Sequence, residues 1–150
     1  MKVRLAKESD LEALIKIGNR VRLESSTYFP PIDKEHTRNI LKVVLANPDF
    51  GCCFVAEEES VIGFIGGEIS FFSFSSEKVA IVHLWHVVPE KRNALAGGKL
   101  LTRFESWAWE NGAFAVRVDI HTSKNTDKIG GSLERIGYSC MGKDYIKYGN

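Results

Sequence analysis

The chain has 150 residues, of which 44% are hydrophobic and 26% are charged, and this composition is ordinary for a globular domain. Twenty basic residues nearly balance nineteen acidic ones, so neither a nucleic-acid-binding nor a membrane-binding surface is expected. The first residues carry charges and lack the apolar core of a signal peptide, and the strongest apolar run, "VAIVHLWHVV", is too short to span a bilayer. These features predict one cytoplasmic domain over residues 1–150.

A short strand is predicted at the start of the chain, and apolar residues then recur at helical spacing over residues 9–25. Ser9 and Glu12 have the spacing of a capping box at the start of this helix. Asp33 is placed to cap a second helix. Between residues 52 and 88, three segments rich in β-branched and aromatic residues are separated by short polar turns, which predicts three antiparallel strands.

In the second half of the chain, a helical pattern begins at Gly97 and stops at Gly112. A strand follows over residues 113–120, then a short helix over 125–137 and a last strand over 138–148. The order β-α-α-β-β-β-α-β-α-β predicts an α/β (α+β) fold whose mixed, mostly antiparallel sheet has helices on both faces. The strand–helix–strand unit around Gly97 should be a right-handed crossover, which joins parallel strands.

Three cysteines are present, and two of them are adjacent: Cys52, Cys53 and Cys140. Their number is odd and their spacing fits neither a disulfide framework nor a metal site, so we expect buried, reduced thiols and no bound metal. A covalent cysteine mechanism is not favoured, because two of the thiols lie on an early predicted strand and the third has no evident base partner.

The stretch "PEKRNALAGGKLL", residues 89–101, connects a predicted strand to a helix. A helix N-terminus presents backbone N–H groups and a partial positive charge, and both attract phosphate. Glycine is needed there only where φ is positive or a ligand touches the backbone, so Leu95 and Ala96 are permitted if the backbone is near-helical. We expect the amides of residues 93–98 to face a diphosphate and the Leu95 side chain to point into the protein. A plain strand-to-helix turn is the alternative.

Two further patterns carry a resemblance to a known family. "VVPEKRNALAGGKLL" contains a V-x-P strand end followed by Arg92 and Gly97, with Leu95 where a first signature glycine is usual. "NTDKIGGSLERIGY" begins at Asn125 and ends in Gly-Tyr. With the element order, these patterns resemble the GNAT family of N-acetyltransferases over nearly the whole chain, and also its small members carried by bacterial viruses.

The resemblance implies transfer of an acetyl group from acetyl-CoA directly to a primary amine of a small molecule or a protein. It also implies a bulge near residues 86–88 that separates this strand from the strand at 113–120 and opens a cleft for the cofactor. The residues expected to contact acetyl-CoA lie on the strand end, the loop and the two following helices: His86, Val87, Val88, Lys91, Arg92, Asn93, Ala94, Leu95, Ala96, Gly97, Gly98, Lys99 and Asn125.

The acceptor amine must lose a proton, and three residues are candidates for the base: His83, Glu68 and His86. On a regular strand, the two histidines face opposite sides because their numbers differ in parity. Glu68 follows Gly66 and Gly67, and such glycines often mark a close approach of backbones. Each candidate also has an ordinary structural interpretation as a packed or hydrogen-bonded strand residue.

The catalytic tyrosine that is common in the family has no clear counterpart. Counting back from Gly137 puts Leu133 at its position, whereas counting forward from Asn125 puts Ser132 there. Ser132, Tyr138 and Tyr145 are the hydroxyl groups that could act as a substitute acid, and Tyr138 is also expected to be a packing residue. Because a thiol has a pKa of ~8.5, we expect the enzyme to work without a tyrosine acid.

The acceptor is expected to bind under the loop "SSTYFPPIDKEH", through Tyr28 and Phe29. Aromatic residues of the hairpin "SFFSFSSEK" are expected in the core or at a homodimer surface. No charge bias selects an amine substrate. The alternative function is a catalytically idle CoA-binding or protein-interaction module, for which the missing signature glycine and tyrosine are the support.

Overall fold

The computed structural model describes residues 1–92, 94–121 and 125–149, with the backbone alone at Ala94. Nine strands and helices follow one another within these residues: β1 (Lys2–Leu5), α1 (Leu11–Glu24), α2 (Lys34–Ala46), β2 (Gly51–Glu57), β3 (Val61–Phe71), β4 (Lys78–Val87), α3 (Ala94–Glu110), β5 (Ala115–Val118) and α4 (Thr126–Arg135). The strands lie side by side in the order β1-β2-β3-β4-β5. Neighbours are antiparallel except β4 and β5, which are parallel as predicted. None of these helices is long and apolar enough to cross a membrane.

Both faces of the sheet are covered by helices, as predicted, because the strand residues alternate between two cores. On β2, Cys53 and Val55 pack with the buried residues of α1 and α2. Cys52 and Phe54 face the other way and pack against α3 and α4. The apolar stripe of α3 is fully buried in this second core: Ala96, Leu100, Leu101, Phe104, Trp107 and Ala108.

The start of α1 differs from the prediction, and the capping box of Ser9 and Glu12 is wrong. Ser9 lies inside a short 3-10 turn, Glu8–Asp10, that precedes the helix. The buried Asp10 carboxylate accepts the Lys7 backbone N–H at 2.8 Å and pairs with the Arg4 guanidinium at 2.8 Å. Arg4 holds the pKa of Asp10 below its usual range. At α2 the predicted cap is confirmed, because the Asp33 carboxylate accepts the His36 N–H at 2.8 Å.

The last predicted strand is wrong, because residues 138–149 form neither helix nor strand. Tyr138 is half-buried against the core, whereas the later apolar side chains Met141, Tyr145, Ile146 and Tyr148 are exposed, and Gly142 interrupts the segment with a φ of 152°. Side chains hold the segment instead. Asp144 pairs with His121 at 2.6 Å, and the Tyr148 hydroxyl donates to the Tyr28 carbonyl at 2.5 Å.

A β-bulge interrupts the pairing of β3 with β4. Gly66 pairs with Leu84 and Gly67 with Val82, so His83 is an extra residue on β4. Backbone pairing of β4 with β5 covers Val79–Val82, so within the described residues these strands separate at the bulge. The predicted bulge, which separates β4 from β5, is therefore present. Its predicted location at residues 86–88 is wrong, because His86 and Val87 pair in regular register with Phe64 and Gly63, and the register shifts between Gly66 and Gly67.

Gly67 is the position where a side chain would disturb the bulge most. A Cβ atom there would lie 1.9 Å from the Ile81 carbonyl oxygen and 3.0 Å from the Phe104 ring. We expect Gly67→Ala to lower the free energy of unfolding by about 3 kcal/mol, because the backbone must shift. Gly130→Ala is the control: nothing lies within 4 Å of its Cβ position in α4, and stability should hold or rise. Urea unfolding measures both, and equal stability of the two variants would contradict the prediction.

Candidate active site

The separation of β4 from β5 leaves a gap beside the last part of β4. The Val88 N–H bonds to the Ile62 carbonyl at 2.8 Å, so by strand alternation the backbone groups of His86 also face β3. Those of Trp85 and Val87 face away from β3, toward the gap. Of the three residues expected to pair with the pantetheine amides, only Val87 is thus well directed, and Trp85 was missed by the sequence reasoning.

Helix α3 begins at Ala94, three residues before the predicted start, because Ala94, Leu95 and Ala96 are good helix formers. Ala96 is buried, and the Leu95 side chain is 56% exposed. The expectation that Leu95 points into the protein is therefore wrong: it lies one position away from the buried stripe. The Trp85 indole N–H donates to the Gly97 carbonyl at 3.2 Å and joins β4 to the first turn of α3.

Two of the three cations near this helix start are paired with carboxylates. Lys91 bonds to Glu58 in the β2–β3 turn at 2.6 Å, and this partner raises the pKa of Lys91. Arg92 pairs with Glu24 at the end of α1 at 2.7 Å and donates to the Val87 carbonyl at 2.8 Å. Lys99 is exposed on α3, and Asn125 is the residue before α4. Asn93 lies outside the described residues.

The bulge brings two of the predicted base candidates together. His83 Nε2 lies 3.2 Å from Glu68 Oε1, and the two side chains are 47% and 41% exposed. Glu68 shares a strand face with Phe64, which packs under α1 and α2. His86 also contacts Phe64, with ring centroids 5.4 Å apart. The extra residue thus turns both histidines to the same face, whereas a regular strand would separate them.

His86 is a poor base in this setting. Its ring packs edge-on against Phe64, and burial together with nearby Arg92 lowers the pKa of His86 to about 4. The imidazole is consequently neutral near pH 7 and binds a proton weakly. His83 and Glu68 are therefore the better-placed candidates.

Two of the three candidate acids, Tyr138 and Ser132, donate their hydroxyl hydrogens to other groups of the protein. The Tyr138 hydroxyl donates to Glu105 at 2.7 Å, and burial and this carboxylate raise the pKa of Tyr138 well above its usual range. The Ser132 hydroxyl donates to the Lys128 carbonyl of its own helix at 3.0 Å. Leu133 is buried in the core and Tyr145 is exposed.

The cysteines do not form a nucleophilic site. Cys52 and Cys53 are buried on opposite faces of the sheet. Burial raises the pKa of Cys53 to about 12 and that of Cys52 further, so neither supplies a thiolate near neutral pH. Cys140 is exposed, which contradicts the expected burial of all three thiols.

The loop between α1 and α2, residues 25–33, holds the predicted acceptor residues and is called the acceptor loop here; the last three residues of the predicted segment belong to α2. Tyr28 contacts Tyr148 edge-on, with ring centroids 5.9 Å apart, and the Phe29 carbonyl accepts a long bond of 3.4 Å from Arg22. The segment 138–149 therefore contacts two places: Asp144 pairs with His121, just after β5, and Tyr148 contacts Tyr28 in the acceptor loop. These contacts were missed, because the segment was predicted to pair within the sheet.

The same architecture occurs in known acetyltransferases. Residues 19–130 match the model of the Acetyltransferase (GNAT) family. The chain is 30% identical over 138 residues to the uncharacterized N-acetyltransferase YhfO of Bacillus subtilis (strain 168), covering 92% of this chain and 89% of the relative. This relative is bacterial and not viral, so the resemblance to bacteriophage-type members gains no support.

Solved structures share the fold over almost the full length. The glucosamine-6-phosphate N-acetyltransferase of Arabidopsis thaliana superposes with a TM-score of 0.78 at 18% identity, covering 99% of this chain and 98% of that one. AAC(6')-Iy, in complex with the bisubstrate analog CoA-S-monomethyl-acetylneamine, gives a TM-score of 0.76 at 15% identity, with 99% and 97% covered. Acetyltransferases of the GNAT family use acetyl-CoA, and this chain belongs to that family as an N-acetyltransferase.

Proposed function

We propose that this acetyltransferase moves the acetyl group directly from acetyl-CoA to a primary amine, with His83 as the base and Glu68 as its partner. The observation that carries the proposal is the 3.2 Å contact between His83 and Glu68 at the bulge where β4 leaves β5. An exposed base beside the separated strands is where an amine can meet a cofactor bound in the gap.

The residues of the gap fit acetyl-CoA. The backbone groups of Trp85 and the N–H of Val87 face the gap and are suited to the amides of the pantetheine chain, whereas the Val87 carbonyl accepts from Arg92. The N-terminus of α3 and the exposed Lys99 favour the diphosphate. Gly98 has nothing within 4 Å of its Cβ position, which leaves the helix start accessible to a ligand. Asn125 and Asn93 remain predicted contacts.

His83 can take the proton that an amine must lose. An amine with a pKa of ~10.4 is protonated near neutral pH and cannot attack a carbonyl carbon. If Nε2–H donates to Glu68, Nδ1 carries the free lone pair and accepts the amine proton. The Glu68 carboxylate then stabilises the imidazolium and fixes the orientation of the ring. A backbone N–H of Trp85 or Val87 can stabilise negative charge on the carbonyl oxygen.

No side-chain acid is needed in this scheme. Acetyl-CoA supplies an activated thioester whose thiol has a pKa of ~8.5, so its sulfur leaves without much protonation. The Tyr138 hydroxyl and the Ser132 hydroxyl already donate to Glu105 and to Lys128. We therefore assign Tyr138 to packing and hydrogen bonding between α3 and the end of α4.

Tyr138→Phe tests this assignment. We expect kcat to change by less than about threefold, because the hydroxyl takes no part in the reaction, whereas stability should fall by about 1 kcal/mol with the lost hydrogen bond. Initial rates and thermal unfolding measure the two effects. Ser132→Ala and Tyr145→Phe are the companion variants. A thousandfold loss of kcat in any of the three would identify an acid and contradict the scheme.

The proposal is tested by assaying release of free CoA thiol over a panel of amines. The panel includes amino sugars, polyamines, lysine-containing peptides and peptides with free N-termini. An idle CoA-binding module would be stabilised by acetyl-CoA in thermal unfolding and yet release no thiol with any amine. A pure interaction module would show neither effect. These alternatives are favoured by Leu95 at the signature position of a glycine, and by the absence of a tyrosine at both Leu133 and Ser132, the two possible counterparts of the family's tyrosine.

A further inference from the structure

Two ion pairs join the end of α1 to the loop that precedes α3. Arg20 donates from both Nη atoms to the two carboxylate oxygens of Glu90, each at 2.9 Å. One helical turn further on, Glu24 accepts from Arg92 at 2.7 Å. We call Arg20–Glu90 and Glu24–Arg92 the crossed ion pairs, because each segment supplies one cation and one anion.

The crossed ion pairs hold the loop at residues 89–92 in place against α1, and they add little to the stability of the fold. All four side chains are partly exposed, and pairs of this kind each contribute little to the free energy of unfolding. The Arg20–Glu90 pair is bidentate, however, which fixes geometry as well as distance. Arg20 also lowers the pKa of Glu90 to about 2, so the pair stays charged across the neutral range.

Arg92 extends the connection to the strand beside the gap. Its Nε donates to the Val87 carbonyl at 2.8 Å, and a guanidinium has five N–H donors, so others remain for a phosphate. On the opposite side, Ser25 follows Glu24 directly, and the acceptor loop begins there. The loop at residues 89–92 and the acceptor loop are thus attached to the same turn of α1.

We propose that Arg20 and Glu24 are positioning residues that make the acceptor loop, residues 25–33, respond when acetyl-CoA binds at the start of α3. This inference rests on the proposed function, because acetyl-CoA is the ligand that acts on the loop at 89–92. Neither residue touches the reacting atoms. Their effect is to transmit the position of Glu90 and Arg92 to the turn of α1 from which the acceptor loop departs.

Amide hydrogen exchange followed by mass spectrometry tests the inference on the full chain. In the unmodified protein, saturating acetyl-CoA should slow exchange in residues 94–101 and also in residues 25–33. In the double variant Arg20→Gln with Glu24→Gln, slowing at 94–101 should persist and slowing at 25–33 should fall by more than half. Arg38→Gln with Glu35→Gln, which removes an exposed ion pair within α2, is the matched control and should behave like the unmodified protein.

A charge exchange separates transmission from a general loss of structure. Arg20→Glu alone should lose the response of residues 25–33, and adding Glu90→Arg should restore it. If acetyl-CoA slows exchange at 94–101 while residues 25–33 do not respond, or respond equally in the double variant, the inference is overturned. If acetyl-CoA slows exchange nowhere in the chain, the protein does not bind the cofactor, and this outcome contradicts the proposed function as well as the inference.

Discussion

Replacement of His83 by glutamine is expected to lower kcat/KM about 10²-fold to 10³-fold, because a neutral amide cannot accept the proton of the acceptor amine. The affinity for acetyl-CoA should remain nearly unchanged, since the side chain lies at the bulge and not at the start of α3. Initial rates with an accepted amine and calorimetric titration with acetyl-CoA measure the two quantities separately.

Four companion measurements make this result specific. Glu68→Gln keeps a hydrogen-bonding group beside His83 and loses the charge, so its activity should fall less than that of His83→Gln. Glu77→Gln, an exposed residue of the β3–β4 turn, is the matched control and should leave the rate unchanged. Added imidazole should restore part of the rate of a His83→Ala variant. Full activity of His83→Gln together with loss of activity in His86→Gln would assign the base to the other histidine.

Leu95→Glu is expected to weaken acetyl-CoA binding at least tenfold while the protein becomes slightly more stable. The side chain is 56% exposed in the first turn of α3, so the substitution disturbs no core. A carboxylate there complements the helix dipole and should add about 0.5 kcal/mol to the free energy of unfolding. The same charge repels a diphosphate bound at the helix N-terminus.

Leu95→Glu is informative because it should weaken ligand binding and raise stability at the same time, whereas most variants that bind a ligand less tightly are also less stable. Leu95→Gln is the uncharged control and should bind acetyl-CoA nearly as the unmodified protein does. Titration calorimetry and urea unfolding supply the two readouts. Unchanged affinity in Leu95→Glu would mean that residues 89–101 form only a turn between β4 and α3.

The order of the secondary structure elements was predictable because most of them carry strong local patterns. The apolar stripe of α3 and the three antiparallel strands have clear periods, and Asp33 and Gly112 mark a helix start and a helix end. The segment 138–148 has strand-forming residues but no partner face to bury them. Its conformation therefore depends on tertiary contacts with Tyr28 and His121, and such contacts cannot be predicted from the strand propensity of the segment itself.

The candidate site was predictable in its residue types and less so in its geometry. Gly66 and Gly67 signalled a close approach of backbones, yet the register that makes His83 the extra residue is a property of two strands together. The shared face of His83 and His86 follows from that register. Likewise, Arg92 was identified by its place in the loop, whereas its partner Glu24 is distant in sequence and became apparent only in three dimensions.

The adjacent cysteines of β2 can report on local opening of the two helical layers that cover the sheet. Cys53 is covered by α1 and α2, and Cys52 by the layer that contains α3. A thiol reagent can reach each sulfur only when the helices that cover that sulfur move away from the sheet. The two labelling rates therefore measure separate opening equilibria, one for each side of the sheet. Cys140 is exposed and reacts without any opening, which provides an internal reference for the reagent. Acetyl-CoA bound at the start of α3 should therefore slow the labelling of Cys52 more than that of Cys53.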